Sequence, residues 1–305
     1  MTEVQSVQPA DEGRHEPGAG ELWNESWYLD VVDPAAGVAA YVRLGLYPNL
    51  GRAWYWACVV GPDRPLVTVI DHDVPLPSGR SLEIRTEGLW ADYNVESPCD
   101  HVSVGVEAFA VSLDDAADVY GHPRGDRVPF GLDLEWETDG DLYPYPGVDR
   151  YEVPSLVSGE ILVGQETIAI DGIGQRDHSW GERDWWTYGW SWMSGRLDDG
   201  TRFHGTQVQM GDVQLYGTGY LQAPGDDMVG VDDVARSEDL GRAGFPDRTR
   251  WRVADLELDL EPVAFSPVLL TAPDGRTSRF PRAWCRYTAA DGRTGHGWTE
   301  WNQPD

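Results

Sequence analysis

The feature that most limits what this chain can fold into is its rhythm of turns. Gly, Pro, Asp and Asn recur at short, even intervals, and the segments between them alternate apolar with polar side chains. A side-chain period of two belongs to extended strands with one buried face, the signature of antiparallel β proteins. The candidate strands are 40–47, 53–60, 66–71, 81–86, 101–111, 131–138, 158–162 and 166–170 in the first half. The second half adds 187–197, 202–210, 213–222, 250–260, 279–287 and 295–301. About fourteen strands exceed what one twisted open sheet holds before curling or splitting, so two barrels or sandwiches are expected. Asp199-Gly200 and Asp291-Gly292 mark tight hairpins, because glycine adopts the positive backbone angle such turns need. Segments 114–120 and 231–240 read as short helices.

Charge narrows the partners. The 23 basic residues are all arginine and face 52 acidic ones, giving a net charge of -29. That field repels phosphate backbones and anionic lipid surfaces, so neither nucleic acid nor a membrane surface is an expected partner. The longest apolar run, 53–60, is far shorter than the about 20 residues a helical membrane span requires. Residues 1–20 are polar, acidic and rich in Gly and Pro, and read as a disordered tail without the features of a secretory signal. Cys58, Cys99 and Cys285 are far apart and lack metal-ligand spacing, which suits a reducing cytoplasm. Nothing in the sequence assigns an oligomeric state.

The densest chemistry lies in 172–192, where charged residues and an imidazole sit among aromatics. On an extended chain His178 and Trp180 share one face, and Asp177 and Ser179 share the other. Trp54 with Trp56, and Trp190 with Trp192, likewise pair on one face, either as core or as walls of a pocket whose π faces would stabilise a developing cation. His204 and Gln207 fall on opposite faces unless a bulge intervenes. Arg176, Glu182, Arg183 and Asp184 are able to balance one another, and Glu300, if buried, requires a partner such as Arg176 or Arg183. There is no phosphate loop, GxSxG elbow, HExxH, paired CxxC or calcium loop. Nucleotide chemistry is therefore excluded, and no metal or cofactor is expected.

Glycines preceding Asp177-His178-Ser179-Trp180, then Gly189-Trp190-Ser191-Trp192, the Asp198-Asp199-Gly200 hairpin and the Gly295-His296-Gly297-Trp298-Thr299-Glu300 ending follow one another in that order. This set resembles the carotenoid 1,2-hydratase (hydroxyneurosporene synthase) and AttH-like superfamily. The resemblance implies an all-β chain of two consecutive lipocalin-like antiparallel β-barrels, divided here into 21–171 and 172–305. It also implies chemistry on greasy molecules without metal or nucleotide. In the hydratases a His-x-Trp pair and a downstream tyrosine and aspartate are implicated in protonating an alkene. The first pair corresponds to His178 and Trp180; the strand where the second would fall reads Phe203-His204-Gly205-Thr206-Gln207 and offers no carboxylate.

The expectation is an enzyme acting on an apolar isoprenoid or polyketide-like substrate by hydration, dehydration, isomerisation or cyclisation. The acid comes from His178, Asp177, Glu182 or His204, and the pocket from Trp180, Trp190, Trp192, Gln207, Trp54 and Trp56. The alternative is a carrier that holds the same hydrophobic small molecule without reaction.

Overall fold

A computed structural model of the chain describes residues 6–121 and 123–305. The first five residues of the expected tail, and His122, lie outside the described residues. The chain forms two compact units. One takes the chain to Val59, then Leu66–Asp114 and Arg124–Arg183; the other takes Val60–Pro65, Asp115–Pro123 and Asp184–Asp305.

The first unit is built on β1 (Trp23–Asp33), β2 (Val38–Tyr47), β3 (Arg52–Gly61), β4 (Arg64–Pro75), β5 (Ile84–Thr86), β6 (Leu89–Ser97), β7 (His101–Leu113), β8 (Asp126–Thr138), β9 (Tyr143–Pro144), β10 (Arg150–Val163) and β11 (Glu166–Glu182). Antiparallel pairing runs β4-β3-β2-β1-β11-β10-β8-β7, and β7 pairs back onto β4, which closes the ring. Closure removes the exposed edges that an open sheet would present. Leu29, Val31, Val42, Leu44, Val104, Leu134 and Ile170 fill the interior.

The second unit comprises β12 (Gly189–Leu197), β13 (Arg202–Met210), β14 (Val213–Gln222), β15 (Val229–Val231), β16 (Val234–Leu240), β17 (Pro246–Val253), β18 (Leu256–Phe265), β19 (Val268–Thr271), β20 (Thr277–Phe280), β21 (Arg282–Ala289) and β22 (Thr294–Pro304). Its sheet runs β15-β14-β13-β12-β22-β21-β18-β17-β16 and rolls until β16 returns beside β13 and β14. A side chain bridges that return: Gln214 Nε2 donates to the Val234 carbonyl at 3.2 Å. Met193, Phe203, Trp251, Leu258 and Tyr287 pack inside. The expected all-β architecture of two lipocalin-like barrels is thus the observed one, and both Asp-Gly hairpins form with glycine at positive φ (Gly200 87°, Gly292 94°).

Four expectations are corrected. β1 was not foreseen because all eleven of its residues are buried, and burial on both faces erases the alternation that marks a strand. Segment 231–240 is not a helix; most of it is β16, paired with β17. Residues 250–260 hold two strands that turn at Ala254, at φ 50°. The domain boundary placed at 171/172 falls inside β11, which pairs without interruption with β10 and is held along its second half by β1; the units part after Arg183.

The expected tail is corrected as well. Its described residues include a 3-10 turn at Pro9–Glu12, where Asp11 Oδ2 accepts from the Gln8 backbone N–H at 2.8 Å. Glu12 is only 2% exposed. A buried guanidinium, Arg176, demands a partner, and this segment supplies it: Arg176 Nη1 lies 2.9 Å from Glu12 Oε1.

Candidate active site

The site begins with the alternation of β11. Ile168 and Ile170 point into the first barrel, so Arg176, His178 and Trp180 follow on the same inner face while Gln175, Asp177 and Ser179 turn outward. The glycines ahead of this run are a close-approach device. A Cβ on Gly174 would sit 2.0 Å from the Asp30 carbonyl, so only glycine lets β1 and β11 come this near. On β1, Glu25 continues the inward row of Trp27, Leu29 and Val31.

Glu25 and His178, each about 1% exposed, meet inside the barrel with His178 Nε2 at 3.1 Å from Glu25 Oε1. Nδ1 of the same ring donates to the Asp11 carbonyl at 2.7 Å, and the Tyr151 hydroxyl lies 3.5 Å away. His15, from the N-terminal segment, reaches the carboxylate from the other side. Its Nδ1 lies 2.7 Å from Glu25 Oε1, and its backbone N–H donates to Oε1 at 2.9 Å and to Oε2 at 3.1 Å. Aromatic faces enclose the group. Trp27 stacks on His178 with centroids 4.4 Å apart, and Trp180 stacks on His15 at 3.7 Å. Residues 9–15 therefore form a strap across this end of the barrel, tied through Asp11, Glu12 and His15.

The hydrogen-bond logic of the pair is strict. A carbonyl only accepts, so Nδ1 of His178 carries a proton, and the contact between Nε2 and a carboxyl oxygen then needs a second proton between them. Burial raises the Glu25 carboxyl, but hydrogen bonds from His15 and His178 outweigh it and hold the group below its ordinary value. Burial drives the His178 imidazole below its ordinary value against the pull of Glu25. A proton held on such an imidazole is easily given up, which is the character of a proton donor. Beside the pair, burial pushes the Tyr93 and Tyr151 phenols upward, and Tyr151 stays protonated. His15, Glu25 and His178 also present one ligating atom each within 4.8 Å of one another, the set that would hold a metal ion. No sequence spacing announced it, because the three residues come from the N-terminal strap, β1 and β11.

On the outer face of β11, Asp177 does not join His178. It pairs with Arg150 Nη2 at 2.8 Å, and Arg150 Nε reaches Glu152 Oε1 at 2.8 Å. Gln175 Nε2 and the Tyr145 hydroxyl donate to Glu152 at 3.0 and 2.9 Å. Trp54 and Trp56 occupy the outer face of β3, with Tyr47 4.3 Å and His72 4.7 Å from the Trp54 ring and the Arg43 guanidinium 4.6 Å over Trp56. Burial and then the charge of Arg43 lower His72 to about 4; burial followed by Arg150 and Arg43 lowers Arg183 to about 10. Glu182 ends β11 exposed, accepting from the Leu22 backbone N–H at 3.2 Å.

His204, Trp190, Trp192 and Gln207 belong to the second unit. His204 Nδ1 donates to the Met193 carbonyl at 2.8 Å, with Trp192 and Tyr220 rings each 5.5 Å away. Trp190 packs on Phe280 at 4.9 Å and Trp185 at 5.7 Å. Gln207 takes the opposite face from His204 and donates to Gln214 Oε1 at 2.7 Å. The Glu300 carboxylate is paired with Arg282, its cross-strand neighbour, where Arg176 or Arg183 was the expected partner. His178 and Trp180 are thus the expected residues that the fold gathers into one site, and Glu25, His15 and Trp27 are the ones sequence reasoning missed. A capping Asp11-Glu12 turn and a carboxylate inside a run of buried strand residues are too common to have marked them.

A family model described as a domain of unknown function (DUF7064) matches residues 8–305. The chain belongs to that family. No curated protein matches it by sequence. Its fold is similar to an AttH-like protein from Nitrosomonas europaea (TM-score 0.68, 15% identity, 98% of each chain covered). It is also similar to kievitone hydratase from Nectria haematococca (0.64, 10%, 99% of this chain and 94% of that one) and to CghA (0.60, 12%, 99% and 97%). At these identities the likeness establishes the two-barrel fold of this DUF7064 member. Among the described residues, no helix is long and apolar enough to cross a membrane, and the three cysteines are free.

Proposed function

We propose that this DUF7064 chain is an enzyme that uses His178, backed by Glu25, as a general acid on an apolar isoprenoid or polyketide-like substrate. The reaction class is hydration, dehydration, isomerisation or cyclisation, run without a nucleotide or resident cofactor. The observation that carries the reading is the buried contact between His178 Nε2 and Glu25 Oε1 at 3.1 Å, set in an aromatic enclosure of Trp27 and Trp180. Proton transfer to an alkene carbon leaves a cation, and indole faces beside it lower its energy where water is excluded. A hydratase among proteins of similar fold supports the choice of reaction class.

Beside the strap, a cavity of about 500 Å³ has a mixed lining that includes Pro9, Leu82 and Tyr93 together with Arg14, Arg80 and Asp92. Ala10 and Glu12, which line it, flank Asp11 in the chain, and the Asp11 carbonyl accepts from His178.

The test is incubation of the wild type, His178→Ala and Glu25→Gln with a panel of isoprenoid alkenes and alcohols in oxygen-18 water, with products read by mass spectrometry. Label incorporated by the wild type and lost in both variants supports the acid. Ligands retained unchanged by all three in native mass spectra would replace this reading with the carrier.

A further inference from the structure

We infer that His15, Glu25 and His178 form a binding site for one divalent transition-metal ion of the zinc class, which takes the place of the proton shared by Glu25 and His178 and fastens the N-terminal strap to the barrel. The inference rests on the proposed acid only for its inhibitory consequence; the site itself stands on geometry.

Three features converge. First, the ligand atoms already surround one point. Glu25 Oε1 is 2.7 Å from His15 Nδ1 and 3.1 Å from His178 Nε2, and all three lie within 4.8 Å of one another. Bonds of about 2.0–2.1 Å at tetrahedral angles separate ligand atoms by about 3.3 Å, so to admit the ion the His15–Glu25 contact opens by about 0.6 Å and the His178–Glu25 contact by about 0.2 Å. His15 sits on the strap with its side chain 23% exposed, and is the ligand free to give that distance. Second, the outer shell is in place. His178 donates its remaining N–H to the Asp11 carbonyl at 2.7 Å, the arrangement that fixes the tautomer of a ligating histidine and leaves Nε2 as the lone pair. The His15 backbone N–H orients the Glu25 carboxylate through Oε2 at 3.1 Å. Third, that lone pair points at a carboxyl oxygen, a contact that is repulsive unless a positive species lies between them. A proton meets that need, and so does a metal ion; the two exclude each other.

Two imidazole nitrogens and one carboxylate select zinc, cobalt or nickel over magnesium and calcium, which prefer all-oxygen shells. Because the ligands come from the strap and from two barrel strands, the ion would pin residues 9–15 over the barrel end, with the acid silenced beneath it.

The test titrates chelator-treated, full-length protein with zinc and, separately, with magnesium by calorimetry, and with cobalt by visible absorption. One zinc per chain, cobalt bands of tetrahedral intensity and no magnesium binding are expected. His15→Ala and Glu25→Gln should each weaken zinc at least tenfold, and circular dichroism shows whether each is folded. His15→Ala is the safer variant, since it removes no barrel residue. Zinc binding unaltered in folded His15→Ala, or no zinc bound by wild type, overturns the site. Hydrogen exchange of 9–15 should slow with zinc in wild type alone. Turnover is a separate readout: zinc bound without activity under any condition leaves the metal site standing and removes the acid, whereas chelator-resistant turnover without zinc binding does the reverse.

Discussion

The interiors of the two barrels differ in what they bury. The first buries His178, Glu25, Glu12 and Arg176 at one end, joined to a strap from outside the ring. In the second, the inward positions of β12 and β13 are mainly Met193, Phe203 and Gly205, and the histidine of β13 is turned to the other face and tied to a backbone carbonyl. The same alternation that sends His178 inward from an even position on β11 sends His204 outward from an even position on β13. The contrast teaches that facing, set by which residues fill each core, decides which histidine belongs to a polar interior.

Substitutions break or sharpen this contrast. The largest effect is expected at the acid: His178→Ala should lower turnover by about 10²–10⁴-fold, measured as labelled product, while Tyr151 and Trp27 keep the barrel folded. A loss under threefold would remove the distinction between the interiors. Next, Glu12→Ala strands Arg176 as an uncompensated buried charge and should cost about 3–5 kcal/mol of stability. Glu300→Ala does the same to Arg282 in the second barrel. Thermal unfolding of both, lowered by about 10 °C each at about 2–4 °C per kcal/mol, would show that each barrel depends on its own ion pair. An unchanged transition for Glu12→Ala would show that the strap is dispensable to the first.

A smaller effect follows from His72, on the first barrel's outer face. Its value near 4 in the folded chain lies below its ordinary 6.5, so the unfolded chain takes up the proton first. Stability is therefore full above about pH 6.5 and falls as pH drops toward 4, by up to about 1.4 kcal/mol per pH unit. Urea midpoints across that window should slope more steeply in wild type than in His72→Gln; superimposed profiles would sink the assignment. Smallest of all, His204→Asn should leave labelled product unchanged and cost about 1 kcal/mol for the bond to Met193. A turnover loss as large as that of His178→Ala would return the second barrel to the chemistry.

Much of the fold was legible because hairpin chemistry and one-sided burial leave local marks. β7 and β8 were readable from alternation, and two Asp-Gly turns from the backbone angle they require. β1 left no such mark, since Trp23–Asp33 is buried on both faces and mixes Asn24, Glu25 and Asp30 with its apolar residues. The site was half legible for the same reason. His178 and Trp180 stood out as a polar and aromatic pair on one strand face, whereas Glu25 and His15 gained meaning only from strand pairing and from the strap's anchor.

By itself, the sequence determined that this chain builds antiparallel β structure, that His178 and Trp180 share a face, and that Asp177 takes the other, because those follow from turn residues and a period of two. Only the tertiary structure decided that β11 belongs wholly to the first barrel, that residues 9–15 are a strap rather than a loose tail, and that Glu25 meets His178 across a sequence separation of 153. Long-range pairing sets these, and a buried charge finds its partner wherever the closed ring brings one within reach.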